Sequence, residues 1–473
     1  MSTEKTRIER DSMGEMEVPV SAYYGASTMR AFLNFPISNL RFSREFIQAL
    51  AVIKGSAALS NIELGLLDSQ IGNAIAKAAT EVAHGKFDDD FVLDIFQTGS
   101  GTSTNTNANE IIANRATEIL IGDLDKASSD LFRGTKLVHP NDHVNLCQSS
   151  NDVIPSAIHI AAITSLKNQL IPSLEELKSQ LIRKSKEFWP IIKTGRTHLQ
   201  DATPIRLGQE FLGYSGQIER GIARANNALK ELSELALGGT AVGTGVNCHP
   251  EFSAKTCEKI SDLLEISVRE TDNHFQAQNT IDSIIEASGS LRTIAISMYK
   301  IANDIRFLGS GPRAGLAEII LPEVQPGSSI MPGKVNPVIA ESLIQVVAQV
   351  IGNDSTIALS GHGGYFELNM MFPVAAHNIL ESILLLSTSA RNFSEQCIKG
   401  IFATGQGPAS VENGLMLGTA LTPAVGYDKA ASIAKEAAAS NRTIREVAKE
   451  STDLSDTEID KLLNAEKMTE PGL

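Results

Sequence analysis

Leu166, Leu170, Leu174, Leu177 and Leu181 recur every three or four positions, and Ile284, Leu291, Ile294, Met298, Ile301, Ile305 and Leu308 repeat the pattern further along. That spacing stacks apolar side chains on one face of an α-helix, so long helices are predicted across both stretches. Further helical segments are predicted around 338–351 and 376–390. Over residues 1–145, shorter helical patterns alternate with loops rich in Gly, Asn and Thr, the fullest being QTGSGTSTNTNANE at 97–110. After the loop GIFATGQGPAS a small helical unit is expected over 406–473, which leaves 146–405 as the long-helix region. Strand signals are sparse, and the chain reads as all-α with three regions. Helices of about 30 residues run about 45 Å. A single chain of 473 residues is too small to cover such apolar stripes on every side. The economical arrangement is a long bundle shared between subunits.

Composition narrows the function classes. The chain is 42% hydrophobic and 20% charged, with a formal net charge of −14 and no basic stripe, which argues against a nucleic-acid partner. The four cysteines, Cys147, Cys248, Cys257 and Cys397, form no CxxC pair and read as separate reduced, buried thiols. The opening MSTEKTRIERDSMGEMEVP has neither an apolar signal core nor an Arg-rich, acid-poor transit profile, and no stretch has the length of a membrane span. A cytoplasmic protein is the expectation.

Candidate chemistry lies in the loops. GSSIMPGKVNP at 327–337 has nearly the grammar of a phosphate cradle, but five residues separate Gly327 from Gly333, Val335 follows Lys334, and Pro332 lacks an N–H. It reads instead as a mobile loop offering two hydroxyls and one cation. Asn336 and Pro337 are expected to start a helix as N-cap and first residue, with Glu341 in its first two turns, either as a solvated charge or as a partner for a histidine. Ser149, Ser150, Asn151 and Asp152 precede a helical run near Pro155; simple capping and carboxylate binding are both open there. In TGRTHLQDA, Arg196, Thr197 and His198 are expected to precede a helix starting near Thr203 and Pro204, and histidine is the natural acid or base near neutral pH. His139 and His143 stand four apart, but Pro140 intervenes and no HExxH glutamate accompanies them, so no metal is expected.

Taken together, GSSIMPGKVNP, QTGSGTSTNTNANEIIANRA, VHPNDHVNLCQSSND, KTGRTHLQDATPIRLGQEF, GGTAVGTGVNCHPEF, RFLGSGPRAGLAEI and GYFELNM resemble the fumarase/aspartase superfamily over nearly the whole chain. Within it the likeness leans to the class II, iron-independent fumarate hydratase family, because His198 stands where aspartases carry Gln and PGKVNP stands in place of PAKVNP. Ser103, in SGTSTNTN, leans the other way.

The resemblance implies a three-domain all-α fold whose central helical bundle is shared in a homotetramer, with active sites built from three subunits and no cofactor or metal. It implies reversible anti addition of water to fumarate, a dicarboxylate, giving (S)-malate through an aci-carboxylate intermediate. Ser328 is then the base at C3, and Lys334 and Asn336 form the oxyanion site. His198, oriented by Glu341, handles the water. Ser100, Gly101, Thr102, Ser149, Ser150, Asn151, Thr197, Ser329 and Val335 line the substrate. His139, Pro140, Asn141 and Asp142 match a second anion site. An aspartate ammonia-lyase of the same fold and a catalytically silent structural member are the alternatives.

Overall fold

The computed structural model describes residues 5–122 and 137–472. The first four residues of the N-terminal stretch and the final Leu473 lie outside the described residues. The chain divides into two compact units, each discontinuous in sequence: Met1–Pro172, Ala223–Thr293 and Ala348–Ser387 form the first, and Ser173–Ile222, Ile294–Val347 and Thr388–Leu473 the second.

Helices dominate both, and the periodic leucines account for the longest. Ser150–Ser165, a π turn at Leu166–Leu170 and Ile171–Glu187 follow one another, and Leu166, Leu170, Leu174, Leu177 and Leu181 are all buried. The helix Asp282–Leu308 likewise buries Ile284, Leu291, Ile294, Met298, Ile301, Ile305 and Leu308. Burying each such side chain contributes roughly 1.5–3 kcal/mol, so the periodic face, more than backbone propensity, holds these helices. Val338–Ser360 and Phe372–Gln396 extend beyond the predicted segments at both ends or at one. Residues 417–463 carry their own apolar cluster in the second unit, with Leu421, Ile433, Ile444, Val447 and Ile459 at its centre.

Among the described residues there are also five two-stranded sheets. Thr6–Asp11 and Gly14–Pro19 form an antiparallel hairpin, with Asp11 opposite Gly14. More consequential is the pair Ile192–Thr197 and Gln200–Arg206, because it corrects the helix expected to start near Thr203 and Pro204; the helix begins at Leu207. The physical reason is legible afterwards. Ile192, Thr194, Thr197, Thr203 and Ile205 are β-branched and suit a pleated surface. Thr197 pairs with Gln200, so His198 and Leu199 alone make the turn, at φ 55° and 60°. Two central residues with positive φ define a type I′ turn, whose usual occupants are Asn and Gly. Holding His198 and Leu199 there costs on the order of 1 kcal/mol each, and strain of this kind concentrates at functional sites.

A buried histidine in the first unit gives stability a pH dependence. His159 packs inside the helix Ser150–Ser165, its Nδ1 2.9 Å from the Glu234 carbonyl, and burial pulls its pKa below the ordinary value. Below about pH 6.5 the unfolded chain binds a proton that the folded chain resists, so this group's share of stability is lost as pH falls. Asp152 opposes it, because burial pushes its carboxyl up to about 6 and the folded state then takes up protons more readily than the unfolded. The comparison of His159→Asn with the parent therefore isolates the effect. Between pH 7 and 5 the urea midpoint of the variant is expected to fall less steeply; parallel curves would rule the coupling out.

Candidate active site

In the first unit two helix N-termini are joined by hydroxyls. The helix Thr102–Ile121 starts after Gly101, whose φ of 73° and close neighbour Ile154, 2.9 Å from where a Cβ would lie, admit only glycine. The helix Ser150–Ser165 starts after Ser149, which forms a capping box with Asp152. Thr102 Oγ1 lies 2.7 Å from Ser100 Oγ and 2.7 Å from Ser150 Oγ. Unpaired N–H groups and both helix dipoles favour an anion at such a place. Of the two readings open for this stretch, capping is met by Ser149 and Asp152, and because Ser149 Oγ accepts in that box, its O–H can still donate to a ligand, as can that of Ser150. Asn151 Nδ2 donates to Ala241 O at 2.8 Å.

Beneath these groups lies a buried charge that sequence reading missed. Lys54 is fully buried and its Nζ donates to Asn145 Oδ1 at 2.8 Å and to Gln148 Oε1 at 2.9 Å, which fixes the segment leading to Ser149. Burial pushes its pKa down to about 7, partly offset by the nearby Asp152. Asp152 Oδ2 in turn accepts from Gly238 N at 3.0 Å and Thr240 N at 2.9 Å. The signal was present: Lys54 is the single charge in the run ALAVIKGSAALS.

A cavity of about 690 Å³ connects this cluster with the His139–Asp142 stretch, since Thr102, Ser149, Ser150, Asn141 and Asp142 all line it. His139 Nδ1 accepts from Asn141 N at 3.2 Å and Asp142 N at 3.1 Å, and the backbone N–H of His139 donates to His143 Nδ1 at 2.9 Å. The two histidines and Pro140 thus shape a single turn, Pro140–Val144. Among the described residues no three His, Cys, Asp or Glu side chains are grouped to hold a metal ion.

In the second unit the loop 327–337 is held by its own polar groups. Gly327 N donates to Lys334 O at 2.9 Å, Asn336 Nδ2 donates to Gly327 O at 2.7 Å, and Lys334 Nζ donates to Asn336 Oδ1 at 2.6 Å. A Cβ at Gly327 would collide with the Lys334 carbonyl, and Gly333 has φ 77°. Asn336 therefore does not cap the following helix as expected: its side chain is committed within the loop, and the helix opens at Val338 with Glu341 in the first turn. Ser328 Oγ accepts from Ile330 N at 3.2 Å and Met331 N at 2.9 Å, a seat that favours its deprotonated form. Ser329 is exposed. Lys334, Val335, Asn336 and Glu341 line a cleft of about 1060 Å³. Thr197 and His198 stand exposed at the hairpin tip, whereas Glu341 lines the cleft.

The hairpin is anchored by a buried ion network. Lys193 Nζ lies 2.8 Å from Glu318 Oε2 and 2.9 Å from Glu210 Oε1, while Arg196 Nη2 lies 2.7 Å from Glu318 Oε1. Lys193 and Glu318 are almost wholly buried, so each charge depends on the others.

Comparison with known proteins assigns the chain to a family. The family described as "Lyase" matches residues 14–352, and that described as "Fumarase C C-terminus" matches 417–470. The class II fumarate hydratase of Halobacterium salinarum is 51% identical over 472 residues, covering 100% of this chain and 98% of that protein. The mitochondrial fumarate hydratase of Saccharomyces cerevisiae is 50% identical, covering 98% of this chain and 94% of its own. The crystal structure of a class II fumarase from Schistosoma mansoni superposes with a TM-score of 0.94 at 37% identity, covering 98% and 99% of the two chains. Matched along its full length in sequence and in fold, the chain belongs to the lyase family, in its class II fumarate hydratase branch.

Proposed function

We propose that the protein is a fumarate hydratase, interconverting fumarate and (S)-malate by anti addition of water. The observation that carries this reading is the full-length match, at 51% and 50% identity, to relatives named as fumarate hydratases.

In the malate direction the C3 proton is barely acidic, and its removal places extra negative charge on the neighbouring carboxylate. Stabilising that aci-carboxylate is the larger share of the work. Lys334 and Asn336 supply a cation and an amide to it. Ser328 takes the proton, its alkoxide favoured by the N–H groups of Ile330 and Met331 and by the positive potential of Lys334. Thr102, Ser149, Ser150, Asn151 and Thr197 hold the carboxylates by neutral hydrogen bonds, aided by the two helix N-termini. Ser100, Gly101, Ser329 and Val335 complete the binding surface, and His139, Pro140, Asn141 and Asp142 take a second anion.

His198, oriented by Glu341, activates or protonates the water at C2. The reading includes active sites assembled from three subunits of a homotetramer. Leu212, Ile296, Phe307, Ile351, Leu359 and Leu384 support the same reading, because these large apolar side chains on the long helices are 39–68% exposed in the single chain. Among the described residues no helix is long and apolar enough to cross a membrane, and a cytoplasmic location is part of the proposal.

Mixing the protein with malate, without added metal, is expected to generate the ultraviolet absorbance of fumarate. His198→Asn is expected to lower kcat by about a hundredfold, the lower range for a lost acid–base group, and to remove one limb of the pH–rate profile. An unchanged profile would remove His198 from the mechanism. Supplying fumarate with ammonium tests the ammonia-lyase reading, which Ser103 favours; aspartate formed in preference to malate would replace the hydratase assignment.

A further inference from the structure

Among the described residues, the cavity that takes in Thr102, Ser149 and Ser150 is lined by hydroxyls, amides, apolar groups and the carboxylate of Asp142, and by no lysine or arginine. A dicarboxylate brings negative charge to that place. A cation lies one side chain behind the wall. Asn145 and Gln148 both line the cavity, and both give their side-chain oxygens to Lys54 Nζ, at 2.8 and 2.9 Å. Asn105 and Asn109, from the helix Thr102–Ile121, bring their Nδ2 groups to the same Asn145 oxygen, each at 3.2 Å, so three donors converge on it. The nitrogens of the two amides hold the backbone around them. Asn145 Nδ2 donates to Gln148 O at 3.0 Å, and Gln148 Nε2 donates to Val144 O and Leu146 O, each at 3.1 Å. The chain from Val144 to Gln148, which delivers Ser149 and Ser150, is thus wound on two amides whose oxygens Lys54 holds.

The charge is as notable as the contacts. Lys54 is fully buried, and both of its acceptors are neutral amides. Asp152 offsets it only in part, because that carboxylate is itself occupied by the N–H groups of Ser149, Gly238 and Thr240. A cation held by neutral dipoles in a dry interior acts over several ångströms with little screening, so its field reaches the adjoining cavity.

We propose that Lys54 is a positioning residue for substrate binding: through Asn145 and Gln148 it orders the segment that presents Ser149 and Ser150, and through the same amides it lends the cavity the positive potential that its neutral lining lacks. Affinity for the dicarboxylate, rather than the proton transfers, then depends on it. The identity of the substrate rests on the fumarate hydratase reading, whereas affinity for a dicarboxylate is measurable without turnover.

Lys54→Met in the full chain is expected to raise KM for malate, and the Kd for succinate measured by calorimetry, by about tenfold to a hundredfold, the range for one buried charge acting across a side-chain amide at an effective dielectric of about 20. Succinate is a saturated dicarboxylate with no group to eliminate. The kcat should stay within a few-fold, because Ser328 and Lys334 are untouched. Gln148→Leu, at a half-buried position, should raise both constants in the same sense by less, and it carries the test if Lys54→Met does not fold. The double change should raise the succinate Kd by less than the product of the two single effects, since both act through one contact. A purely packing role would lower the urea midpoint and leave KM and the succinate Kd of the folded variants unchanged. That result overturns the proposal, as does a loss confined to kcat or a pair of effects that multiply independently. A parent that binds succinate without turning malate over overturns the hydratase reading instead, and the succinate comparison then still decides the role of Lys54.

Discussion

Ser328→Ala is expected to lower kcat for malate dehydration by about a thousandfold, within the range for a general base acting on a carbon acid, with KM changed little. The split follows from where the groups stand. Ser328 Oγ is held by the N–H groups of Ile330 and Met331, and alanine removes the proton acceptor while the loop keeps its other ties, Gly327 N to Lys334 O and Asn336 to Gly327 O. The proposed carboxylate ligands Thr102, Ser150 and Asn151 are untouched, so binding common to ground and transition states survives. Ser329→Ala is the comparison: it removes an exposed hydroxyl of the proposed binding surface but no proton acceptor, so its loss is expected to fall on KM, with kcat changed no more than a few-fold. Exchange of the malate C3 hydrogen with solvent deuterium gives a second readout, and it should vanish in Ser328→Ala. Exchange at the parent rate in that variant would transfer the role of base to another group.

The contrast between the two serines also marks how far the sequence alone could carry the site. The loop's grammar excluded a phosphate cradle, and resemblance singled out Ser328, but only the fold shows the two N–H groups that distinguish it from its neighbour. The helices were legible because one apolar face repeats along them: every periodic leucine from Leu166 to Leu181 is buried. The 192–206 hairpin was not, because His198 and Leu199 occupy a turn whose usual residues are Asn and Gly, and Pro204 imitates the start of a helix. Asn336 misled for a related reason. An Asn before a Pro is a good N-cap in isolation, and here Lys334 and Gly327 claim both ends of its amide. The hold of Lys54 on Asn145 is long-range and leaves no local pattern. A lysine within an apolar run was visible, but its partners were not.

Those long-range charges govern the other large effect, at Glu318. Its carboxylate meets Lys193 through one oxygen and Arg196 through the other, and Glu210 is a second carboxylate on Lys193 among the described residues. Glu318→Leu takes a carboxylate from both Lys193 and Arg196 in a largely buried place, and removing one partner from such a network destabilises by about 3–5 kcal/mol. The urea midpoint of the variant should fall accordingly. Glu318→Gln should lose less, because an amide oxygen still accepts from Arg196. The double change Lys193→Met with Glu318→Leu separates charge from packing. If the loss in Glu318→Leu is an abandoned charge, removing Lys193 as well should restore part of the stability, and the two losses will be far from additive. Additive losses would instead assign the effect to packing around the hairpin. Because Arg196 and Lys193 lie on the strand that ends at Thr197 and leads into the His198 turn, the same variants bear on function. A chain that stays folded in Glu318→Gln yet loses turnover would show that the strained His198 turn depends on this anchor for its catalytic position.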